Sequence, residues 1–347
     1  MVRIPLIIMK ALCLETGGSQ VVITAVLISF LEIVLQEYTN DYTTRLVDYF
    51  DTVVGSGFNS IVAGLLAYRF SGADILKILK KNMPKFFCKS LNLSRSKYST
   101  KKLHKAIHKI FNFTKYYEDT PKALIVSSSD ILNKSPILFK SWKTDISYNI
   151  VDIITGSCTI PYYFDTFMFY GEINHHFNEF HIKNKVYHLV INNCNNNVQC
   201  GINCSNCDFI LNVGTGVNIN TPCIKRSTNS IAHLNKVPIK NYNKKTMVET
   251  CLQECKYSSD NMLTKQFNNS EYTYLNPIVI ATSSTFVYDN IDKDYLKSLI
   301  EFAKSYIEDN YSKLAKTLAN IIGNQTIIEF MNTDSNRSKL LQKLQSI

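Results

Sequence analysis

The sequence predicts an α/β protein in which helices cover both faces of a mostly parallel central sheet. Short apolar runs bounded by Gly, Asn or Ser alternate with amphipathic helical stretches, which is the pattern of strands joined by crossover helices. The chain has 347 residues, of which 45% are hydrophobic and only 20 are Gly or Pro. It can therefore bury a substantial core and does not have the composition of a disordered protein.

The individual elements follow from these runs in chain order. "KALCLETGG" predicts a strand that ends in a glycine turn, and the apolar stretch after it predicts a buried helix. Leu and Ile recur at helical spacing in "DYLKSLIEFAKSYIEDNY", so the last sixty or so residues are predicted to be helical. We expect residues 1–285 to form the α/β domain and residues 286–347 to form a helical extension packed on it. The predicted strands are 10–18, 48–54, 122–130, 186–192, 208–216 and 276–284, and the predicted early helices are 20–37 and 60–69.

Cysteine usage and the first residues indicate a reducing, cytoplasmic compartment rather than secretion. Ten cysteines in a chain of this length do not amount to a disulfide scaffold. Arg3 is followed by a short apolar run that Lys10 interrupts, which is not the pattern of a secretory signal. The longest apolar run, 21–35, is shorter than the roughly 20 residues that a membrane-spanning helix needs. We therefore expect this run to be a buried core helix.

The stretch "DYFDTVVGSGFNSIVAGLLAY" (48–68) places an apolar strand, a turn of small residues and a helix in succession. An α/β hydrolase presents its nucleophile on such an elbow, because the tight turn excludes bulky residues and the helix N-terminus faces the reacting group. The turn here contains Gly55, Ser56 and Gly57. Which of these residues could act as a nucleophile decides how the elbow is interpreted.

Several ordered motifs between residues 10 and 220 resemble those of the patatin-like phospholipases. The family has a glycine-rich oxyanion loop of the form Asp-Gly-Gly-Gly-x-Arg-Gly, an elbow of the form "DYFD…AGTSTGG", an Ala-Ala-Pro-x-Tyr-Phe segment, an "LVDGG" stretch and an "LLSLGTG" strand. The resemblance implies a patatin-like three-layer α/β/α fold. The matching stretches here are "LETGGSQV" (14–21), "DYFDTVVGSGFNS" (48–60), "TPKALIVSSSDILNKSPILFKSW" (120–142), which is similar to the family's middle strand, "GSCTIPYYFDTF" (156–167), "YHLVINN" (187–193) and "DFILNVGTGVN" (208–218).

The resemblance also implies which residues stand at the catalytic positions. Patatin-like enzymes hydrolyse acyl esters of lipids with a Ser-Asp dyad, in which the Asp of the "DG" pair is the general base. Matched on the shared Tyr-Phe-Asp, the nucleophile position is Gly57, which has no side chain to attack with. Matched on the shared Leu-Val, the base position is Ile191, whose alkyl group cannot accept a proton. Both catalytic positions are therefore degenerate.

The loop that would stabilise the oxyanion through its backbone N–H groups is also eroded. Gly17 and Gly18 remain, and Glu15 stands where the family has its first acid. Thr16 and Val21 replace the first and last glycines of the motif, and the arginine is lost as well. Loss of nucleophile, base and part of the loop in one chain indicates that hydrolysis is no longer its task.

Ser56 and Ser60 are the fallback nucleophiles. Ser56 comes one residue early, so we expect its side chain to point away from the elbow tip, and Ser60 lies about one turn into the helix. No Asp or Glu occurs between Glu179 and Asp208, so neither serine has a base in the expected place. Asn192 could hydrogen-bond a hydroxyl but could not deprotonate it.

Four cysteines cluster shortly after the degenerate base position. Four thiolates could bind zinc tetrahedrally, but structural zinc sites usually use two close pairs, and this cluster has a single C-x-x-C pair. An Asn-rich surface loop with free thiols is the favoured interpretation, zinc is the weak alternative, and we expect no cofactor. The four cysteines are Cys194, Cys200, Cys204 and Cys207.

A basic segment, 77–115, contains twelve Lys or Arg and no Asp or Glu, whereas the whole chain has a formal net charge of +10. In the family, this segment lies near the mouth of the active site. It could be a solvated face, a surface for anionic lipid, or a surface for nucleic acid or an acidic protein. The interleaved Phe and Ile residues could insert shallowly into a membrane if the segment is an amphipathic helix. The candidate residues for binding an anionic surface are Lys101, Lys102, Lys105 and Lys109.

These observations favour a pseudoenzyme whose patatin-like scaffold is kept for binding or for a structural task at an anionic membrane surface. A divergent but active lipid acyl hydrolase, a phospholipase A or esterase, is the first alternative. A basic structural or nucleic-acid-associated protein is the second. The oligomeric state is left open by the sequence.

Overall fold

The computed structural model describes residues 9–90, 96–142, 146–174, 183–191, 207–218, 271–279 and 287–347. Strands and helices alternate through most of these ranges. The strands are β1 (Met9–Leu14), β2 (Thr52–Ser56), β3 (Ala123–Asp130), β4 (Ser135–Lys140), β5 (Ile146–Ser147), β6 (Phe167–Asn174), β7 (Lys183–Ile191), β8 (Cys207–Val213), β9 (Val217–Asn218), β10 (Tyr272–Leu275) and β11 (Ile278–Val279). The helices are α1 (Val21–Thr39), α2 (Asn59–Ala67), α3 (Gly72–Phe86), α4 (Thr100–Ile110), α5 (Ile150–Cys158), α6 (Lys293–Asp309), α7 (Tyr311–Ile322), α8 (Thr326–Asn332) and α9 (Asp334–Gln345).

The described strands form a nine-stranded sheet in the order β10-β8-β1-β2-β3-β7-β6-β5, with β4 also paired to β3. Five adjacent strands, β10, β8, β1, β2 and β3, run parallel. The other four strands join in antiparallel pairs. The predicted α/β class with a mostly parallel central sheet is therefore confirmed.

The antiparallel end of the sheet differs from the sequence prediction. The predicted strand 122–130 is present as β3, but the sequence did not predict β4, which pairs with β3 in a hairpin from Ile125 opposite Lys140 to Asp130 opposite Ser135. A connection of four residues, 131–134, is too short for a crossover, so the two strands must be antiparallel. The last predicted strand, 276–284, lies partly outside the described residues, and within its described part the structure has the short strand β11.

Helix α1 is the buried core helix that the apolar run predicts. Among the described helices it is long and apolar enough to cross a membrane, with a mean hydropathy of 1.8. However, 78% of that apolar window is buried inside the protein. The ring of Phe30 in α1 contacts the ring of Tyr311 in α7, with 6.3 Å between the two ring centroids. At its end Glu37 forms ion pairs with Lys339 and Lys343 of α9. The C-terminal helices thus pack on α1, while the boundary predicted near residue 285 stays a prediction.

Both faces of the parallel sheet are buried, as near-continuous apolar strands require. On one face, side chains such as Leu12, Leu14 and Val53 join the described helices in the main core. On the other face, a second apolar cluster includes Cys13, Val54 and other strand residues that are at most 6% exposed. Successive strand residues alternate between these two clusters, which fixes the side of the sheet that each residue near the elbow faces.

Candidate functional site

The predicted elbow is present at the end of β2. The strand ends at Ser56, Gly57 has a φ of +58°, and α2 begins two residues later at Asn59. A φ in this left-handed region favours glycine. Gly55 is needed for a different reason, because a Cβ there would lie 2.6 Å from the Cβ of Ala63, where α2 returns across the strand. The chain has therefore kept the sharp strand-to-helix turn with a residue at its tip that has no side chain.

The backbone of Gly57 is fully engaged. Its N–H donates to Oγ of Ser157 at 3.0 Å. Its carbonyl accepts from Oγ of Ser60 at 2.6 Å and from Sγ of Cys158 at 3.3 Å. These donors come from the first turn of α2 and the end of α5. The elbow tip thus serves as a packing and hydrogen-bonding centre between two helices.

Neither fallback serine has the surroundings of a nucleophile. Ser60 is fully buried and donates its hydroxyl hydrogen to the Gly57 carbonyl. Ser56 is also fully buried, and because it is two residues after Val54 in the strand, its side chain is on the same face as Val54, toward the second apolar cluster rather than α2. Its Oγ has no hydrogen-bond partner among the described residues. Among the residues that the structure describes, no carboxylate contacts either hydroxyl, so none of them is placed as a general base for Ser56 or Ser60.

Cys158 is a nucleophilic residue type that the sequence analysis did not consider. Its thiol lies 3.8 Å from Oγ of Ser60 at the elbow, and the residue is fully buried. Burial raises the pKa of the Cys158 thiol to about 12. The thiol is therefore neutral at physiological pH, and a neutral thiol is a poor nucleophile. Its hydrogen bond to the Gly57 carbonyl makes it a structural contact.

The glycine-rich loop is packed against two later segments of the chain. A Cβ on Gly17 would lie 2.5 Å from Oγ1 of Thr215, and a Cβ on Gly18 would lie 1.9 Å from the carbonyl oxygen of Tyr288. The N–H of Ser19 donates to the same Tyr288 oxygen at 2.8 Å. The two retained glycines are thus required by close packing, and one backbone donor of the loop is already occupied.

Glu15, the surviving acid of this loop, is held in a buried polar cluster. One carboxylate oxygen accepts from Nδ2 of Asn212 at 2.9 Å, and the other accepts from the hydroxyl of Tyr274 at 2.7 Å. Its backbone carbonyl accepts from Nδ2 of Asn59, the first residue of α2. These contacts join β1, β8, β10 and the elbow helix. Glu15 therefore has a structural role in locking the loop to the sheet.

Aromatic rings fill the space beside the elbow. Phe58, the residue after Gly57, stacks on Phe87 at 4.9 Å and contacts the ring of Tyr288 at 6.3 Å. The ring of Tyr288 in turn lies 4.7 Å from the ring of Tyr163, measured between centroids.

Asp289, the residue after Tyr288, is buried. Its carboxylate accepts from the Tyr98 hydroxyl at 2.6 Å and is ion-paired with Lys97. We call the segment 287–289 the plug, since it covers the glycine-rich loop and packs on these rings.

The degenerate base position lies at the end of a strand. Ile191 is the last residue of β7 and pairs with Ser129 of β3, so this end of β7 reaches the carboxyl edge of the parallel strands. Asp130, the next residue of β3, is buried and accepts from the N–H of Leu132 at 2.9 Å and from Nδ2 of Asn133 at 2.8 Å. It thus caps the β3–β4 turn. The catalytic meaning of Ile191 stays a prediction.

The cysteine cluster falls mostly outside the described residues. Cys194, Cys200 and Cys204 are among the residues not described, and Cys207 is the first residue of β8. In the ranges that the structure describes, no group of three or more His, Cys, Asp or Glu could hold a metal. The weak zinc hypothesis therefore stays a prediction.

Helix α4 carries the candidate lysines on its solvent side. Lys101, Lys102, Lys105 and Lys109 are exposed, and we call these four residues the lysine surface. The opposite face of the helix is buried, with Ile107 fully covered. Lys102 donates to Sγ of Cys88 at 3.1 Å. A cavity of about 240 Å³ between α3 and α4 is lined by three of these four lysines and by Lys85.

One expectation for the basic segment was wrong. Its interleaved apolar residues are not free to insert into a membrane, because most of them pack into the core. Ile110 is half-buried, and Phe113 is the only one of them that is exposed, at 48%. The physical reason is that the apolar face of α4 is needed to cover α3 and α5. The buried members are Phe86, Phe87, Tyr98, Ile107 and Phe111.

Sequence comparisons agree with this architecture. No protein-family model matches the chain. "Patatin-like protein 4" of Arabidopsis thaliana is 29% identical over 177 residues, which cover 46% of this chain and 44% of that protein. "Probable inactive patatin-3-Kuras 1" of Solanum tuberosum is 29% identical over 165 residues and covers 44% of each chain. The chain thus matches less than half the length of these curated relatives.

A solved structure, that of VipD from Legionella pneumophila, aligns with 98% of this chain and 80% of its own, at 11% identity and a TM-score of 0.39. The fold and the elbow define an α/β protein with a sharp strand-to-helix turn and a glycine at its tip. Its curated sequence relatives are patatin-like proteins, which agrees with the resemblance of its motifs to that family.

Proposed function

We propose that this chain is a patatin-like pseudoenzyme that binds an anionic membrane surface and does not hydrolyse lipid esters. The observation that carries the proposal is Gly57 at the elbow tip, with a φ of +58° and both backbone polar groups bonded to other side chains. A Ser-Asp dyad needs a hydroxyl at this point, and the elbow provides only hydrogen.

The surroundings of the elbow support the same conclusion. The Ser19 N–H, which belongs to the loop that would bind an oxyanion, donates to the plug carbonyl of Tyr288. An oxyanion must find such donors free and about 2.7–3.1 Å away. Among the described residues beside the elbow tip, the rings of Phe58, Phe87 and Tyr288 contact one another. These rings support the proposal because they occupy space next to the position that a nucleophile would take.

The relatives are compatible with a loss of activity. One of the proteins that this chain matches has the name "Probable inactive patatin-3-Kuras 1". This supports a retained scaffold with a changed task.

The lysine surface supports an electrostatic attachment to membranes. Its four ammonium groups lie on one exposed face of α4, and none of them has a carboxylate within 4.0 Å among the described residues. Each Lys near an anionic bilayer contributes about 1 kcal/mol before screening. Because the apolar face of α4 is buried, attachment would be peripheral, without insertion of this helix.

Hydrolysis assays test the central claim. Purified chain is incubated with p-nitrophenyl butyrate and, separately, with phosphatidylcholine vesicles, beside the Ser56→Ala and Ser60→Ala variants. We expect release of nitrophenol and fatty acid at the rate of buffer alone for all three proteins. Turnover by the unmodified chain that either substitution abolishes would instead establish a divergent acyl hydrolase.

A further inference from the structure

A second basic site lies between α3 and the C-terminal helices, and it shares no described lining residue with the cavity beside the lysine surface. It is a cavity of about 780 Å³ between α3, α6 and the end of α9. Three of its lysines come from α3 and three from α6, and we call it the lysine groove. Its size falls within the range of small-molecule sites. The six lysines are Lys77, Lys80, Lys81, Lys293, Lys297 and Lys304.

Helical spacing explains why six lysines meet in one place. Residues 77, 80 and 81 are three and four positions apart, and so lie on one face of α3. Residues 293, 297 and 304 are four and seven positions apart on α6, and so also share a face. Between them Leu296 and Ile300 form an apolar floor that is at most 7% exposed. Low-dielectric walls of this kind strengthen the field of the charges around them.

The positive charge of the groove is largely uncompensated. Lys77 lies 3.6 Å from Asp74, and Lys304 lies 3.4 Å from Glu301, which is the carboxylate that lines the cavity. The other four lysines have no carboxylate within 4.0 Å among the described residues. Like charges gathered in one cavity repel each other unless an anion is shared between them.

Lys304 gives the groove a fixed cationic wall. Its side chain is only 8% exposed, and Nζ donates to the carbonyl of Gln345 at 3.2 Å as well as to Glu301. These two acceptors hold the ammonium in place and tie α9 to α6. The remaining five lysines are exposed, and among the described residues only Lys77 has a carboxylate partner, Asp74, from which it would have to turn to reach a ligand.

The lining residues also define the chemistry of the ligand. Ammonium groups bind phosphate as point charges, whereas no guanidinium for bidentate contacts with planar carboxylates occurs among the described lining residues. The same described lining contains no aromatic side chain on which a nucleobase could stack. We propose that the lysine groove binds a multiply phosphorylated small group, either free in solution or as a lipid headgroup. This site is separate from the elbow and from the lysine surface.

The test uses the full chain and two variants that lose the same charge. The groove variant is Lys80→Gln/Lys81→Gln/Lys297→Gln, which spares the buried Lys304. The matched control is Lys101→Gln/Lys105→Gln/Lys109→Gln on α4. Calorimetric titration with inorganic tripolyphosphate should give a Kd that rises at least about tenfold in the groove variant, since each lost charged hydrogen bond is worth roughly 1.5–3 kcal/mol. The control should stay within about twofold of the unmodified chain.

A second arm separates the two sources of phosphate. Vesicles with phosphatidylinositol 4,5-bisphosphate are compared with phosphatidylserine vesicles of equal charge. Groove-dependent binding to tripolyphosphate assigns the site to a soluble ligand, and groove-dependent binding to the bisphosphate vesicles alone assigns it to a headgroup. Equal loss in both variants would overturn the proposal, because net charge alone would then explain binding. The proposal would also be overturned if the unmodified chain bound neither tripolyphosphate nor the bisphosphate vesicles, or if a single-stranded RNA that both variants bind equally displaced tripolyphosphate.

Discussion

The hydroxyl of Ser157 connects the elbow to the neighbouring strand. Its Oγ accepts from the N–H of Gly57 at 3.0 Å and donates to the carbonyl of Ser127 at 2.8 Å. One side chain at the end of α5 therefore satisfies two buried backbone groups that belong to β3 and to the turn after β2. The Ser157 hydroxyl thus links the elbow turn, β3 and α5, and its contribution to the stability of the protein can be measured.

The first prediction is that Ser157→Ala destabilises the protein by about 2 kcal/mol, because a buried backbone group left without a partner costs roughly 1–3 kcal/mol. Ser56→Ala is the matched control, since it removes a buried serine hydroxyl that has no partner among the described residues. We expect Ser56→Ala to be neutral or slightly stabilising. Urea unfolding followed by circular dichroism compares the two variants. Equal losses would mean that Ser157 does not hold the elbow.

The second prediction is that Gly57→Ser with Ile191→Asp does not restore efficient hydrolysis. The pair supplies a nucleophile and a base, but a serine at a φ of +58° adds strain of about 1–2 kcal/mol. The Ser19 N–H still donates to the plug carbonyl of Tyr288. Losing one oxyanion donor alone lowers kcat by about 100-fold or more. Ester hydrolysis is measured for the double variant beside a working patatin-like enzyme, and a matching kcat would show that the loop is functional.

The third prediction concerns Glu32 on α1, a buried carboxylate. It accepts from the N–H of Leu46 at 3.1 Å and from the N–H of Gly72, at the start of α3, at 2.7 Å. Burial raises the pKa of the Glu32 carboxyl from 4.5 to about 7, although these two N–H groups lower it. The folded protein therefore holds a proton here that the unfolded chain releases between pH 4.5 and 7. Stability contributed at this residue should fall as the pH rises through that window.

The size of this effect follows from linkage. A shift of this extent corresponds to a loss on the order of 3 kcal/mol between the two pH limits. The difference in the free energy of unfolding between the unmodified chain and Glu32→Gln should therefore decrease across this window and be flat above it. Glu37→Gln is the control, since the hydrogen bonds from Lys339 and Lys343 lower the pKa of Glu37. For Glu37→Gln, the difference in the free energy of unfolding from the unmodified chain should change below pH 4.5, and it should increase rather than decrease as the pH rises. A flat curve for Glu32→Gln would mean that Glu32 is charged in the folded state.

The elbow and the parallel strands could be predicted from local sequence, because each depends on residues that are close together in the chain. The glycines on either side of Ser56 specify a sharp turn, and the apolar run after residue 20 specifies a buried helix. Glu32 shows the limit of this reasoning. It interrupts the apolar run in the sequence, yet the structure keeps it inside by giving it two backbone donors from other elements.

The long-range contacts at the glycine-rich loop and the elbow could not be predicted from local sequence patterns. Tyr288 reaches the glycine-rich loop from about 270 residues later in the chain, and Cys158 reaches Gly57 from 101 residues away. Contacts of this range leave no periodic signal in the sequence. The amphipathic pattern of α4 was visible, but whether its apolar face meets the core or a membrane depends on how α3 and α5 pack.

The last prediction is that the lysine surface brings the protein to anionic membranes. The chain is sedimented with phosphatidylserine vesicles and with neutral phosphatidylcholine vesicles at low and high salt. We expect binding to the anionic vesicles alone, and a sharp loss at high salt, because exposed charges act only within about 8–10 Å at physiological ionic strength. Lys101→Gln/Lys102→Gln/Lys105→Gln/Lys109→Gln should remove most of this binding without changing the unfolding midpoint, since all four side chains are exposed.

A matched variant separates this surface from total charge. Lys77→Gln/Lys80→Gln/Lys81→Gln/Lys297→Gln removes the same four charges from the lysine groove, and we expect it to bind phosphatidylserine vesicles nearly as well as the unmodified chain. Equal sedimentation with neutral and anionic vesicles would contradict the electrostatic mechanism. Excess RNA that strips the unmodified chain from the vesicles would favour nucleic acid as the partner instead. Unchanged binding by the α4 variant would mean that these lysines form only a solvated face.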